Sequence, residues 1–193
     1  MKKLTFPLVV ASVVLSGCLV TSVCPFYTDK DLTFDKALIG RWTNAKEAGE
    51  HWKFEKDGEK AYQLSYSNDS STSVMQARMF KLGGQTFLDL FSAETKDIQP
   101  PPIPAHFLLR ADVDASTVGL TPLNYEWLVQ WLEKNPKDLR HHIIRTGENP
   151  DDIRLVLTAD TAELQQFIVK HLKTEDAWKE PLQLRRDAPA ASM

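Results

Sequence analysis

From residue 50 onward, apolar side chains recur at every second position. Trp52 and Phe54 alternate with Lys53 and Glu55, and Tyr62, Leu64 and Tyr66 alternate with Gln63 and Ser65. Met75, Ala77 and Met79 continue the rhythm. A period of two places these residues on one face of a strand. The breaks between the runs carry turn chemistry: Asp57-Gly58, the polar stretch Asn68 to Ser71, and Gly83-Gly84 ahead of Phe87 to Phe91. Further strands are predicted over His106 to Val113 and near Val118 to Leu120. Gln99 to Pro104 cannot lie in a central strand, because proline lacks the amide donor, and it reads as a stiff extended loop. Short strands with regular turns predict an antiparallel meander with one face in water.

Two segments change period. Asn124 can cap a helix whose Trp127, Leu128, Trp131 and Leu132 share one face, and Asp160 with Glu163 caps another that carries Leu164, Phe167, Ile168 and Leu172. Strands at His141 to Arg145, Ile153 to Leu157 and Leu182 to Arg186 complete the pattern. The fold class expected is therefore mainly β with two inserted helices (α+β), built on an antiparallel meander. Both helices should bury their apolar stripes on the sheet and close an end or an open side of it. Glu126, Gln130, Glu133 and Lys134 should face water.

The N-terminus has a different character. Lys2 and Lys3 precede an apolar run from Leu4 to Leu15, and Ser16-Gly17 supply small residues beside a cut. A segment of twelve residues falls short of the roughly 20 that span a bilayer core. The run therefore reads as a secretory signal. Leu15-Ser16-Gly17-Cys18 resembles the lipobox of bacterial lipoproteins. The resemblance implies diacylglycerol on the Cys18 thiol, cleavage before it, and acylation of the new amine. Two or more acyl chains anchor a protein stably. Leu19, where an aspartate would retain such a protein at the inner membrane, implies the outer membrane and the periplasm. The expected organisation is a signal peptide over 1–17, a lipidated N-terminus and tether over 18–31, a folded domain over 32–187 and a flexible tail over 188–193. Loss of the signal makes the net charge of −3 more negative by two, which argues against nucleic acid as a partner. With Cys18 lipidated, Cys24 has no partner in the chain and is either an inert thiol or a site of intermolecular pairing.

Leu38-Ile39-Gly40-Arg41-Trp42 opens the domain, four residues after Phe34. It resembles the G-x-W start of lipocalins and lipocalin-like bacterial domains. That resemblance implies a barrel or half-barrel whose base Trp42 plugs, with Arg185 or Arg186 stacked on the indole. The helix at Asn124 to Lys134 departs from the lipocalin order of eight strands followed by one helix. "FKLGGQTFLDL" (80–90), "HFLLR" (106–110), "LTPLNYEWL" (120–128) and "LTADTAELQQFIVKH" (157–171) are similar to stretches of a group of uncharacterised bacterial envelope proteins. That resemblance brings no activity with it.

Reactive groups do not assemble in the sequence. His141 and His142 are adjacent and point to opposite faces of a strand, and no Cys/His spacing of a zinc site occurs. Asp112 to Ser116 begins like a calcium loop, but Thr117 and Leu123 stand where glycine and glutamate are needed. Neither a nucleophile elbow nor a phosphate loop is present. The expectation is a non-enzymatic protein without metal or cofactor. It would meet the membrane through its lipid and bind a small amphipathic or lipid ligand against Trp42, Trp52, Phe54 and Tyr62. The alternative is a structural or interaction module of the envelope, with the barrel filled by side chains and a protein partner outside.

Overall fold

A computed structural model describes residues 19–92, 105–145 and 153–188. The lipobox with Cys18, the proline segment 99–104 and the tail from residue 189 lie outside the described residues. The alternating segments form β3 (Gly40–Asn44), β4 (His51–Lys56), β5 (Tyr62–Ser67) and β6 (Thr72–Leu82). They continue into β7 (Gln85–Ser92), β8 (His106–Val113) and β9 (Thr117–Pro122). Each pairs antiparallel with the next. The last strand, β12 (Leu182–Arg186), lies between β9 and β3 and joins the two ends of the meander. The result is a closed, eight-stranded, up-and-down barrel of the lipocalin-like kind.

At the β6–β7 turn, Leu82 pairs with Gln85 across Gly83 and Gly84, whose φ angles of 57° and 80° suit a type I′ turn. A Cβ on Gly83 would also lie 2.5 Å from Leu172 Cδ1, so a side chain there would have to displace Leu172 as well as adopt a positive φ.

The inserted segment runs α1 (Tyr125–Lys134), β10 (His141–Arg145), β11 (Ile153–Leu157) and α2 (Thr161–Lys170). It falls between the seventh and eighth barrel strands. Asn124 Oδ1 accepts from Trp127 N, and Asp160 Oδ1 accepts from Glu163 N, as the capping patterns predict. The alternation of β6, β7 and β8 shows where the helices go. Met79, Leu88 and Leu109 point into the barrel, while their neighbours Phe80, Phe87 and Leu108 point outward. The outward set packs with Leu128, Leu132, Leu164, Phe167 and Ile168 in a second core.

The helices therefore cover the outside of the wall, and the expected closure of an end or an open side does not occur. The reason lies in β7 and β8. Phe87 to Leu90 are buried on both faces, so this wall has an apolar exterior that must be covered. Leu128 and Leu132 are fully buried and Trp127 and Trp131 partly so, while Glu126, Gln130, Glu133 and Lys134 are exposed.

The stretch expected as a tether also folds. Thr21–Ser22 form β1, antiparallel to β8 and parallel to β11, and Leu32–Thr33, which follow the stretch, form β2 against β6. Val20 and Phe26 are buried in the outer core. From Val20 onward the chain is a strap on the barrel wall. No hydrophobic period announces it, because its partners come from three distant strands.

Candidate functional site

The G-x-W segment sits at one end of the barrel. Asp35 Oδ1 accepts from Ala37 N and starts a short 3-10 helix, Lys36–Leu38, that lies across this opening. Trp42 is fully buried, and its Nε1 donates to Leu38 O at 2.9 Å. Of the two candidate arginines, Arg186 provides the stack. Its Cζ lies 4.0 Å from the centre of the Trp42 ring. The guanidinium also donates to Ile39 O at 2.8 Å, to Ala115 O at 2.6 Å and to Ala37 O. Gly40, at φ 139°, passes so close to Arg186 that any Cβ would collide with it. One cation thus binds the plug, the first strand and the β8–β9 turn together. This is a structural device and leaves no open position for a substrate.

The four residues expected to line a ligand cup do meet inside the barrel, where they pack on one another and on their neighbours. Phe54 is edge-on to Tyr62 at 6.4 Å, Trp52 is edge-on to Tyr66 at 5.3 Å, and Phe34 stacks on Tyr62 at 4.8 Å. Trp42, Phe54, Tyr62, Leu64, Leu88 and Leu120 are all within the fully buried set. Tyr62 Oη donates to Asp35 O and accepts from Asp35 N, and burial pushes its phenol up to about 12. At the opposite end, the buried Glu50 carboxylate accepts from Asn44 Nδ2 at 2.8 Å and from Tyr66 Oη at 3.2 Å. Those polar residues close the interior without reactive geometry.

A pocket of about 300 Å³ lies beside the plug. Thr33, Phe34 and Asp35 form one side, and Met79, Lys81, Thr86 and residues 111–113 form the other. The buried Thr33 Oγ1 has no partner. Sequence reading missed this place because it joins an irregular segment to the ends of three strands.

Outside the barrel, Asp89 is fully buried on β7 and binds two elements. Its Oδ1 is 2.8 Å from His106 Nδ1, and its Oδ2 accepts from Phe26 N at 2.9 Å. Burial raises the Asp89 carboxyl above its usual range, against the pull of His106. His171, at the end of α2, is enclosed by Trp127, Trp131 and Phe167 with ring centres 4.5–5.0 Å away. Its Nε2 is buried without a partner, and burial followed by the Lys170 charge lowers its pKa. His141 and His142 sit on opposite faces of β10, and His141 Nδ1 lies 2.8 Å from Leu139 O. Among the described residues, no three metal-ligating side chains converge. Cys24 is a free thiol, half-buried against the outer core. No family model, curated protein or solved structure matches this chain.

Proposed function

We propose that this protein is a membrane-anchored envelope protein without enzymatic activity, in which the barrel is a packed scaffold and the working surfaces lie outside it. The observation that carries this reading is the filled interior. The aromatic side chains that would line a cup occupy it themselves, as in other small barrels. Cys18 with its acyl chains holds the protein at the outer membrane on the periplasmic side, where it meets a partner protein. Photo-crosslinking in whole cells tests this. A reproducible protein adduct on the outer surface is the expected result. A lipid co-purifying in stoichiometric amount, with no protein adduct, refutes it.

One observation favours a second reading, in which a small amphipathic ligand binds. The place for it is the pocket beside Phe34, since the interior around Trp42, Trp52, Phe54 and Tyr62 is full. The unpartnered Thr33 hydroxyl and the Lys81 ammonium, which offsets one of the Asp35 and Asp112 carboxylates also lining the pocket, would take a polar head, and Met79 and Val113 an apolar body. Under this reading, titration with a fluorescent medium-chain fatty acid gives saturable binding that Lys81→Glu removes. Absence of saturable binding by the wild type excludes this ligand class.

A further inference from the structure

The strap fixes where an N-terminal anchor leaves the domain. Val20 is buried, and Thr21 is held between Phe107 of β8 and Val156 of β11. Only Leu19 and Val20 separate Thr21 from Cys18, and three chain steps reach about 10–11 Å. An acyl chain on Cys18 therefore brings the bilayer against the part of the molecule where β1 lies, with no long spacer between.

That part is a sheet extension. β10, β11 and β1 continue from the start of β8, away from the closed barrel. One face of the extension, with Ile143, Leu155 and Leu157, packs on the helices. The other face follows from register: Ile144 is opposite Arg154, His142 is opposite Val156, and Val156 is beside Thr21. Ile144 is 48% exposed, and Arg154 and His142 are exposed as well. Among the described residues, this face carries two apolar side chains and a cation, Arg154, with no carboxylate beside it. Val74 and Val169 are about as exposed as Ile144, but they lie on β6 and α2, outside the β1–β11–β10 extension.

We propose that this outer face of the β1–β11–β10 extension docks on the lipid bilayer. Ile144 and Val156 enter the boundary between headgroups and acyl chains, and Arg154 meets the headgroup phosphates. The inference rests on the lipid anchor at Cys18. Interfacial binding of this kind combines buried apolar area with attraction of cations to anionic headgroups. The anchor supplies the affinity, and the face supplies a fixed orientation.

The test uses the full acylated chain in vesicles containing phosphatidylethanolamine and phosphatidylglycerol. In a Cys24→Ser background, Ile144→Cys carries an environment-sensitive fluorophore. Lys53→Cys, exposed on β4 at the far side of the barrel, carries the same label as a reference. Reconstitution should shift the Ile144 label to the blue and make it quenchable by nitroxide on the lipid chains, while the Lys53 label stays water-like. Arg154→Glu should reduce the shift. If the unlabelled wild type does not float with vesicles, the anchor reading fails and the docking fails with it. If it floats and the Ile144 label stays in water, only the docking is refuted. A shift without vesicles that grows with protein concentration assigns the face to a second copy and also refutes docking.

Discussion

At the scale of single residues, the arginine on the plug tryptophan is the most consequential contact. Arg186 donates to three backbone carbonyls and covers Trp42, so its removal leaves acceptors without partners as well as an uncovered ring. A charged hydrogen bond contributes about 1.5–3 kcal/mol and the stack about 0.5–2 kcal/mol, and the contributions overlap. Arg186→Ala should lower stability by about 3 kcal/mol in urea unfolding, and Arg186→Lys should recover less than half, because an ammonium lacks the planar fork. His171 gives a second prediction. Its pKa in the folded state lies below that of the unfolded chain, so the unfolded state binds the proton first as pH falls. Its contribution is intact above about pH 6.5 and is lost as pH falls through the lower folded value. Urea midpoints from about pH 7.5 to about pH 5 should fall less steeply for His171→Leu than for the wild type. Equal slopes would show that the aromatic enclosure does not hold the imidazole neutral.

At the scale of elements, the N-terminal strap depends on one buried carboxylate. Asp89 joins β7 to the strap through Phe26 N and to β8 through His106. Each buried donor left without its acceptor costs about 1–3 kcal/mol, and removing Asp89 strands two, Phe26 N and His106 Nδ1, for about 3 kcal/mol or more. Asp89→Ala should destabilise the domain by about that much and free the strap before the barrel opens. Limited proteolysis checks the order: cleavage within residues 24–31 should appear in the variant under conditions where the wild type stays whole. Asp89 is not predictable as a binding group from "FLDL", in which it looks like the solvent-facing member of an alternating strand. The neighbouring Phe87 carries the clue to the contrary. A phenylalanine on the same face as the aspartate implies that something covers that face. Arg110 repeats the lesson on β8, where its guanidinium lies 4.2 Å from the Trp178 ring and donates to Leu172 O. Both polar groups hold the outer layer to the wall.

At the scale of the whole molecule, two cores stand on either side of one wall. The barrel core is complete without the helices, and the helical layer buries an apolar exterior that β6, β7 and β8 would otherwise expose. None of the described helices is long and apolar enough to cross a membrane. Under the proposed function, membrane attachment is through the N-terminal lipid. Cys18→Ser should leave the protein uncleaved or unacylated and move it from the detergent phase to the aqueous phase on phase separation. A variant that partitions like the wild type would remove the lipoprotein reading.

The sequence by itself determined the local elements. Alternation placed β4 to β6, the capping residues Asn124 and Asp160 started both helices, and Gly40, Trp42 and the arginine pair at 185–186 identified a closed base. These features are legible because each depends on neighbours within a few residues, or on one motif of fixed geometry. The tertiary structure alone decided three things. It chose Arg186 over Arg185, because the register of β12 against β3 sets Arg186 opposite Trp42. It filled the interior with Trp42, Trp52, Phe54 and Tyr62, because the size of a closed barrel, and not its pattern, determines whether inward side chains meet. It placed the helices and strap outside the wall, because an apolar stripe records that a face must be buried but not which surface buries it.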